Sequence, residues 1–153
     1  MVEKVIGGCS FRFIIQIALS RDASGNVIRL MPQSRYANTQ NLPLHNYGGG
    51  PFCRFRIPNN LRLEGVYALC VDESIRYIGE CLNLSARFNS GYGEISPRNC
   101  YRGGQPTNCR VNGLVLSSTD RSETLNLWFH PTVNRKTVER QLRVLLHPPW
   151  NAR

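Results

Sequence analysis

Residues 64–79 read Glu64-Gly65-Val66-Tyr67-Ala68-Leu69-Cys70-Val71-Asp72-Glu73-Ser74-Ile75-Arg76-Tyr77-Ile78-Gly79. The run Glu64–Val71 is apolar and β-prone, and predicts a strand. Asp72-Glu73-Ser74 predicts a turn, and Ile75–Gly79 its hairpin partner. Pairing Tyr67 with Tyr77 also pairs Leu69 with Ile75 and sets all four side chains on one face. A slip of one residue would throw the two phenols to opposite faces. Taken alone, two such tyrosines are ordinary cross-strand neighbours.

Toward the carboxyl end, Asn83 is placed to cap a helix carrying Leu84 and Phe88 at i, i+4. Residues 89–112 are rich in Gly, Asn and Arg and predict a long loop, with Gly103-Gly104 ensuring a turn. Leu114–Ser117 and Leu125–His130 are strand candidates. Asn134 opens a last helix in which Val138, Leu142, Leu145 and Leu146 form an apolar stripe, and His147-Pro148-Pro149 ends it. Glu139 borders that stripe. A carboxylate there is costly to desolvate unless a salt bridge to Arg87 or Arg143, or a divalent cation, compensates.

Toward the amino end, Phe11–Leu19 has large apolar residues at every odd position, the pattern of a strand. Ser24-Gly25-Asn26 predicts a turn, with Val27–Met31 returning as a second strand. Pro32–Pro51 is polar and rich in Asn, Pro and Gly, and predicts a loop or arm. Phe52–Ile57 is a further short strand candidate, and Pro58-Asn59-Asn60 marks a boundary. Residues 1–60 are therefore expected to form a β-rich extension, and residues 61–153 a separate domain.

With 153 residues, the chain is long enough to bury a core without disulfides or structural metal. Basic residues number 19 against 10 acidic, a net +9. Only Lys4 and Lys136 are lysines, leaving 19 − 2 = 17 arginines. Arginine favours planar, bidentate recognition of phosphates and guanine edges, so nucleic acid is the partner that composition suggests. The net charge is +5 up to residue 60 and +4 beyond it, as expected if both parts touch one polyanion. No C-x-x-C pair occurs among the six cysteines, and Cys100 with Cys109 would need two more ligands to hold zinc. Reduced, mostly buried thiols are expected. No apolar run is long enough to span a membrane, and the first ten residues lack a secretory layout. A cytoplasmic protein is expected.

Gly65-Val66-Tyr67 followed by Tyr77-Ile78-Gly79 resembles the signature of the GIY-YIG nuclease superfamily. The resemblance continues in order. Glu80-Cys81-Leu82-Asn83-Leu84-Ser85-Ala86-Arg87 is similar to the family's helix start with its arginine. Glu139 stands where the family's metal-binding glutamate belongs, and Asn151 where its terminal asparagine does. The likeness covers about residues 63–151. It implies an α/β (α+β) fold: a GIY-YIG core with a small mixed sheet flanked by helices, here with the β-rich amino-terminal extension. It also implies an enzyme, a DNA endonuclease dependent on Mg²⁺ (or Mn²⁺) that leaves 5′-phosphate and 3′-hydroxyl ends. The implied catalytic set is Tyr67 as general base, Tyr77 orienting water or phosphate, Arg87 clamping the phosphate, Glu139 holding the metal, and Asn151 fixing local geometry. One position departs from the pattern. Many relatives carry histidine four residues after the helix arginine, where this chain has Gly91; Tyr92 or His130 are the candidates to replace it.

Within residues 93–112, Arg98, Arg102 and Arg110 with Asn99, Gln105 and Asn108 are residue types that contact guanine, adenine and phosphate, and Tyr101 offers a stacking face. Ile95-Ser96-Pro97-Arg98 and Gly103-Gly104-Gln105 with Thr107-Asn108-Cys109 resemble the restriction-endonuclease branch of the superfamily. That branch implies double-stranded DNA as substrate and a cognate methyltransferase in the same system. Cutting both strands with one site per chain favours a homodimer or two sequential nicks. Two alternatives stand beside it: a structure-specific repair or mobile-element nuclease, and a non-catalytic nucleic-acid-binding module.

Overall fold

A computed structural model describes residues 2–152. The fold is α+β, a five-stranded sheet with three α-helices. The strands are β1 (Glu3–Ile6), β2 (Cys9–Gln16), β3 (Gly65–Val71), β4 (Ser74–Cys81) and β5 (Leu125–Pro131). The helices are α1 (Leu84–Arg87), α2 (Pro106–Asp120) and α3 (Arg135–Leu146). The spatial order is β1-β2-β5-β3-β4, and every neighbouring pair is antiparallel. The expected mixed sheet is thus corrected to an antiparallel one: hairpins join β1 to β2 and β3 to β4, and β5 returns between β2 and β3.

β3 lies in the interior of the sheet and is buried along nearly its whole length, which explains its almost uninterrupted apolar sequence. Its even-numbered residues Val66, Ala68 and Cys70 join Ile78, Phe11, Trp128 and Leu142 in one hydrophobic cluster. Val138 and Leu146 of α3 pack against that cluster. This assigns the expected stripe of α3 to the even face of the sheet, although Leu145 stays 63% exposed. The odd-numbered residues Tyr67 and Leu69 face the other way, opposite Phe129 and Leu127 of β5.

The hairpin register differs from the expected one by two residues. Tyr67 pairs with Gly79 and Leu69 with Tyr77, and a bulge follows before Cys70 pairs with Ile75 and Val71 with Ser74. Asp72 takes the left-handed conformation at φ +50°, one that Asp tolerates. The loop is therefore only Asp72-Glu73, and the bulge takes up the residue that a three-residue turn would have held. Parity is kept because the shift is even, so both phenols remain on the odd face.

The contacts divide the chain into two interleaved units. One comprises the residues up to Ile17, Ile57–Arg87 and those from Ser122 onward; the other comprises Ala18–Arg56 and Phe88–Arg121. The division at residue 60 is not the one these contacts draw, because β1 and β2 extend the main sheet instead of forming a separate arm. The alternation expected from Phe11 to Leu19 breaks at a bulge between Phe13 and Ile15, and Phe13 is 37% exposed.

In the second unit, Val27–Met31 and Phe52–Ile57 form no ladder strands. Single bridges join Leu19 to Phe55, Arg21 to Val27 and Leu30 to Phe52. Leu114–Ser117, expected as a strand, lies inside α2. Pro106 opens that helix, where its missing N–H costs nothing. Asn112, fully buried, holds α2 in place. Its Nδ2 donates to the carbonyls of Cys53 (2.9 Å) and Tyr92 (2.8 Å), and its Oδ1 accepts from the Cys53 N–H (3.0 Å). No helix among the described residues is long and apolar enough to cross a membrane.

Candidate active site

The first unit contains all five residues expected to carry catalysis. Tyr67 and Tyr77 are diagonal neighbours on β3 and β4, with ring centroids 6.3 Å apart and planes tilted by 34°. Both are buried, at 1% and 7% exposure. The Tyr67 ring lies directly over Gly79, where an added Cβ would overlap the phenol oxygen and two ring carbons. This position requires glycine because a tyrosine occupies the space above it, and the φ angle plays no part.

Between those two positions sits Ile78, whose backbone is held from outside the sheet. Asn151 Nδ2 donates to the Ile78 carbonyl (2.8 Å), and the Ile78 N–H donates to Asn151 Oδ1 (3.0 Å). Next to it, the Trp150 N–H donates to the Arg76 carbonyl (2.8 Å). Residues 150–151 therefore act as a clip along the outer edge of β4, which has no partner strand on that side among the described residues. One carboxamide thus satisfies both backbone polar groups of a single residue at the sheet edge.

Asn83 caps α1 as expected, its Oδ1 accepting from the Ala86 N–H (3.0 Å). Ser85 pins the helix start, accepting from the Leu61 N–H (2.9 Å) and donating to the Pro58 carbonyl (2.6 Å). Arg87 ends the helix in an exposed position, and its Nη2 reaches the Glu80 carbonyl at 3.4 Å. The Glu80 carboxylate pairs with Arg135, whose Nε also binds Glu64 at 3.2 Å. Four consecutive residues of β4, Tyr77 to Glu80, thus connect the tyrosine pair, Asn151 and Arg87.

Glu139 stands further out. Its helix rests on the even face of the sheet, and the tyrosines project from the odd face. The carboxylate is 17% exposed and accepts from Arg143 at 3.2 Å. Arg143 in turn donates to the Ala152 carbonyl at 3.0 Å, one residue beyond Asn151. Of the two compensations expected for Glu139, the structure contains the ion pair to Arg143. Its second oxygen has no hydrogen bond among the described residues. No group of three His, Cys, Asp or Glu among them could hold a metal. A cation at Glu139 would therefore be held by one carboxylate, with water and phosphate oxygens completing its shell, and not by a cage of protein side chains.

His130 does not replace the absent histidine. It pairs with Val66 and so projects from the face opposite the tyrosines, and its Nδ1 is bonded to the Ser10 carbonyl at 2.8 Å. At Gly91, an added Cβ would meet the Asn108 side chain at 3.5 Å. None of the cysteines is in a disulfide. Burial pushes the Cys81 thiol, beside the site, up to about 11, so it offers no thiolate nucleophile near neutral pH.

The seven residues expected to contact DNA all lie in the second unit, and several already hold their own loop together. Arg98 Nη1 donates to the Arg102 carbonyl (3.1 Å). Tyr101 donates its hydroxyl to the Gln33 carbonyl (2.8 Å) and packs on Tyr36. Asn108 and Arg110 are on α2, not in a loop. Asn99 is half-buried, and Arg102 and Gln105 are exposed. Sequence reasoning passed over Tyr47, 48% exposed, whose ring lies 6.0 Å from the Arg110 guanidinium. It also passed over the cations of α3, whose helical spacing was the available signal. No protein-family model matches the chain, and no curated protein or solved structure matches it significantly.

Proposed function

We propose that the chain is a metal-dependent DNA endonuclease with a GIY-YIG core, of the restriction type, hydrolysing phosphodiester bonds to leave 5′-phosphate and 3′-hydroxyl ends. The observation that carries this reading is the arrangement at β4: Tyr67 packed over Gly79 and beside Tyr77, with Asn151 clamping the residue between them. An ordinary hairpin has no need of a tyrosine over a glycine, nor of a side-chain clamp on both polar groups of one edge residue.

In this reading Tyr67 accepts the proton of the attacking water. A phenol ionises near pH ~10 in its ordinary state, so cationic charge nearby must favour the phenolate. Tyr77 orients the water or the phosphate. The exposed Arg87 guanidinium binds the scissile phosphate and meets the charge that grows on its oxygens. The resemblance assigns Mg²⁺ or Mn²⁺ to Glu139, whose helix packs on the sheet face opposite the tyrosines, so its variant tests the metal separately from the tyrosine pair. When bound, the ion supplies charge neutralisation at the leaving 3′ oxygen. Asn151 keeps β4 straight beneath the tyrosines.

The test is a plasmid-nicking assay with Mg²⁺ or with EDTA. Glu139→Ala and Arg87→Ala are expected to abolish cutting while duplex binding persists. Undiminished cleavage by Glu139→Ala would overturn the metal assignment, and absence of any cleavage by the wild-type chain would overturn the enzyme. Discrete fragments from natural DNA support the restriction reading and a methyltransferase companion. Preference for branched substrates supports a repair or mobile-element nuclease instead. Concerted cutting of both strands would indicate a homodimer.

A further inference from the structure

The cations of α3 stand in one line. Lys136, Arg140 and Arg143 follow one another at steps of four and three residues, which keeps their side chains on one side of the helix, and His147 caps its carboxyl end in the left-handed conformation. All four are exposed. Arg135 is not part of the line, because its guanidinium is held by Glu64 and Glu80. Arg143 shares Glu139, whereas the side chains of Lys136, Arg140 and His147 have no hydrogen bond or ion pair among the described residues. At the carboxyl end, Arg140, Arg143 and His147 help to wall a cavity of about 740 Å³ that Asn151 also lines.

Helix stability does not account for this line. Cations near a helix carboxyl terminus complement its dipole, but the same effect asks for acids in the first turn. The first turn of α3 has none, and Lys136 stands there instead. Solubility would be served equally by mixed signs, yet the one acid of the helix, Glu139, is already paired with Arg143. A small anion would meet one or two of these groups. Eleven residues of helix extend about 16 Å, a length that faces roughly five phosphates of one strand at ~3.4 Å each along the duplex axis.

From this we infer that α3 is a DNA-backbone rail: Lys136, Arg140, Arg143 and His147 track the sugar–phosphate backbone of duplex DNA and lead it to the edge of β4 held by Asn151. The inference rests on the nuclease reading for the identity of the polyanion. It adds a second binding surface, on the first unit, to the residues between Arg98 and Arg110 on the second. An anionic membrane is the weaker fit, because the apolar stripe of α3 is packed into the core and only Val144 and Leu145 are left exposed on its outer side.

The experiment uses the full chain and the double variant Lys136→Gln/Arg140→Gln, which leaves the partner of Glu139 and the Asn151 clamp untouched. Binding of a 30-base-pair duplex is measured in EDTA across a salt series, and nicking in Mg²⁺ is measured on the same preparations. The variant should bind about tenfold more weakly near 0.1 M salt. Its log–log salt slope should be shallower by roughly 2, at about 0.9 for each phosphate that the protein no longer neutralises. An unchanged slope and affinity in the variant, with a wild type that nicks DNA, would overturn the rail and spare the nuclease. A shallower slope in a protein that never nicks would spare the rail and overturn the nuclease. Loss of binding to phosphatidylserine vesicles, with DNA binding unchanged, would assign the line to a membrane and overturn the rail.

Discussion

Gly79→Ala is the most direct probe of the β4 arrangement. The added methyl would overlap the Tyr67 oxygen and ring. The ring cannot turn out to solvent, because it is 1% exposed and flanked by Tyr77. Nor can the β3 backbone retreat, since it is bonded to β4 on one side and β5 on the other. Overpacking of this kind costs ~1–3 kcal/mol. Loss of glycine's freedom in the unfolded chain returns up to about 1 kcal/mol. The net destabilisation should be about 1–2 kcal/mol, or roughly 3–6 °C in the thermal midpoint for a chain of this size. Activity should suffer more, because displacing a reacting group by about 1 Å can cost on the order of 10²-fold. The assay pairs thermal unfolding, followed by circular dichroism, with plasmid nicking. A double-mutant cycle supplies the control: in a Tyr67→Ala background the methyl meets no ring, so Gly79→Ala should no longer destabilise. If Gly79→Ala melts and cuts like wild type, or costs as much without the ring, the tyrosine-over-glycine explanation is wrong.

In the second unit, Asn112→Ala removes three hydrogen bonds to backbone groups and a fourth from the Cys53 thiol at a fully buried site; a loss of about 3–4 kcal/mol in urea unfolding is expected. Stability should also fall in alkali. Burial raises the thiols of Cys53 and Cys109 from 9.0 to about 12, and those of Cys70 and Cys81 to about 11. Above pH 9 the unfolded chain therefore loses thiol protons that the folded chain keeps. The folded state then binds more protons, and unfolding free energy falls with pH until the buried thiols ionise too. Replacing these four cysteines by alanine should flatten that slope in unfolding measured between pH 8 and 11.

The parts of the fold written in side-chain pattern were legible. The β3–β4 hairpin, β5, the Asn83 cap and the end of α3 follow from alternation, capping and proline. The register was not legible to two residues, because either pairing puts the same apolar residues on the same faces; the bulge before Cys70 decides it, and no residue type marks a bulge there. α2 escaped because Asn112, Gly113 and the Ser117–Thr119 run are poor helix formers. A buried asparagine with backbone partners distant in sequence holds it instead. Pro106 was the one local sign. The assignment of β1 and β2 to the main sheet depends on long-range pairing that local pattern cannot carry. At the candidate site, the tyrosines and asparagine lie together as their order in the sequence suggests. Glu139 was legible only as a carboxylate beside an apolar stripe, a position equally suited to an ion pair or a cation.

The clip formed by Trp150 and Asn151 also bears on self-association. β4 ends the sheet, and an open strand edge is a template onto which the next molecule can add its own strand. Two residues near the carboxyl terminus occupy that template at Arg76 and Ile78. Chains lacking them would present the site's own strand to one another, so loss of the tail would favour intermolecular aggregation as well as loosening the tyrosine pair.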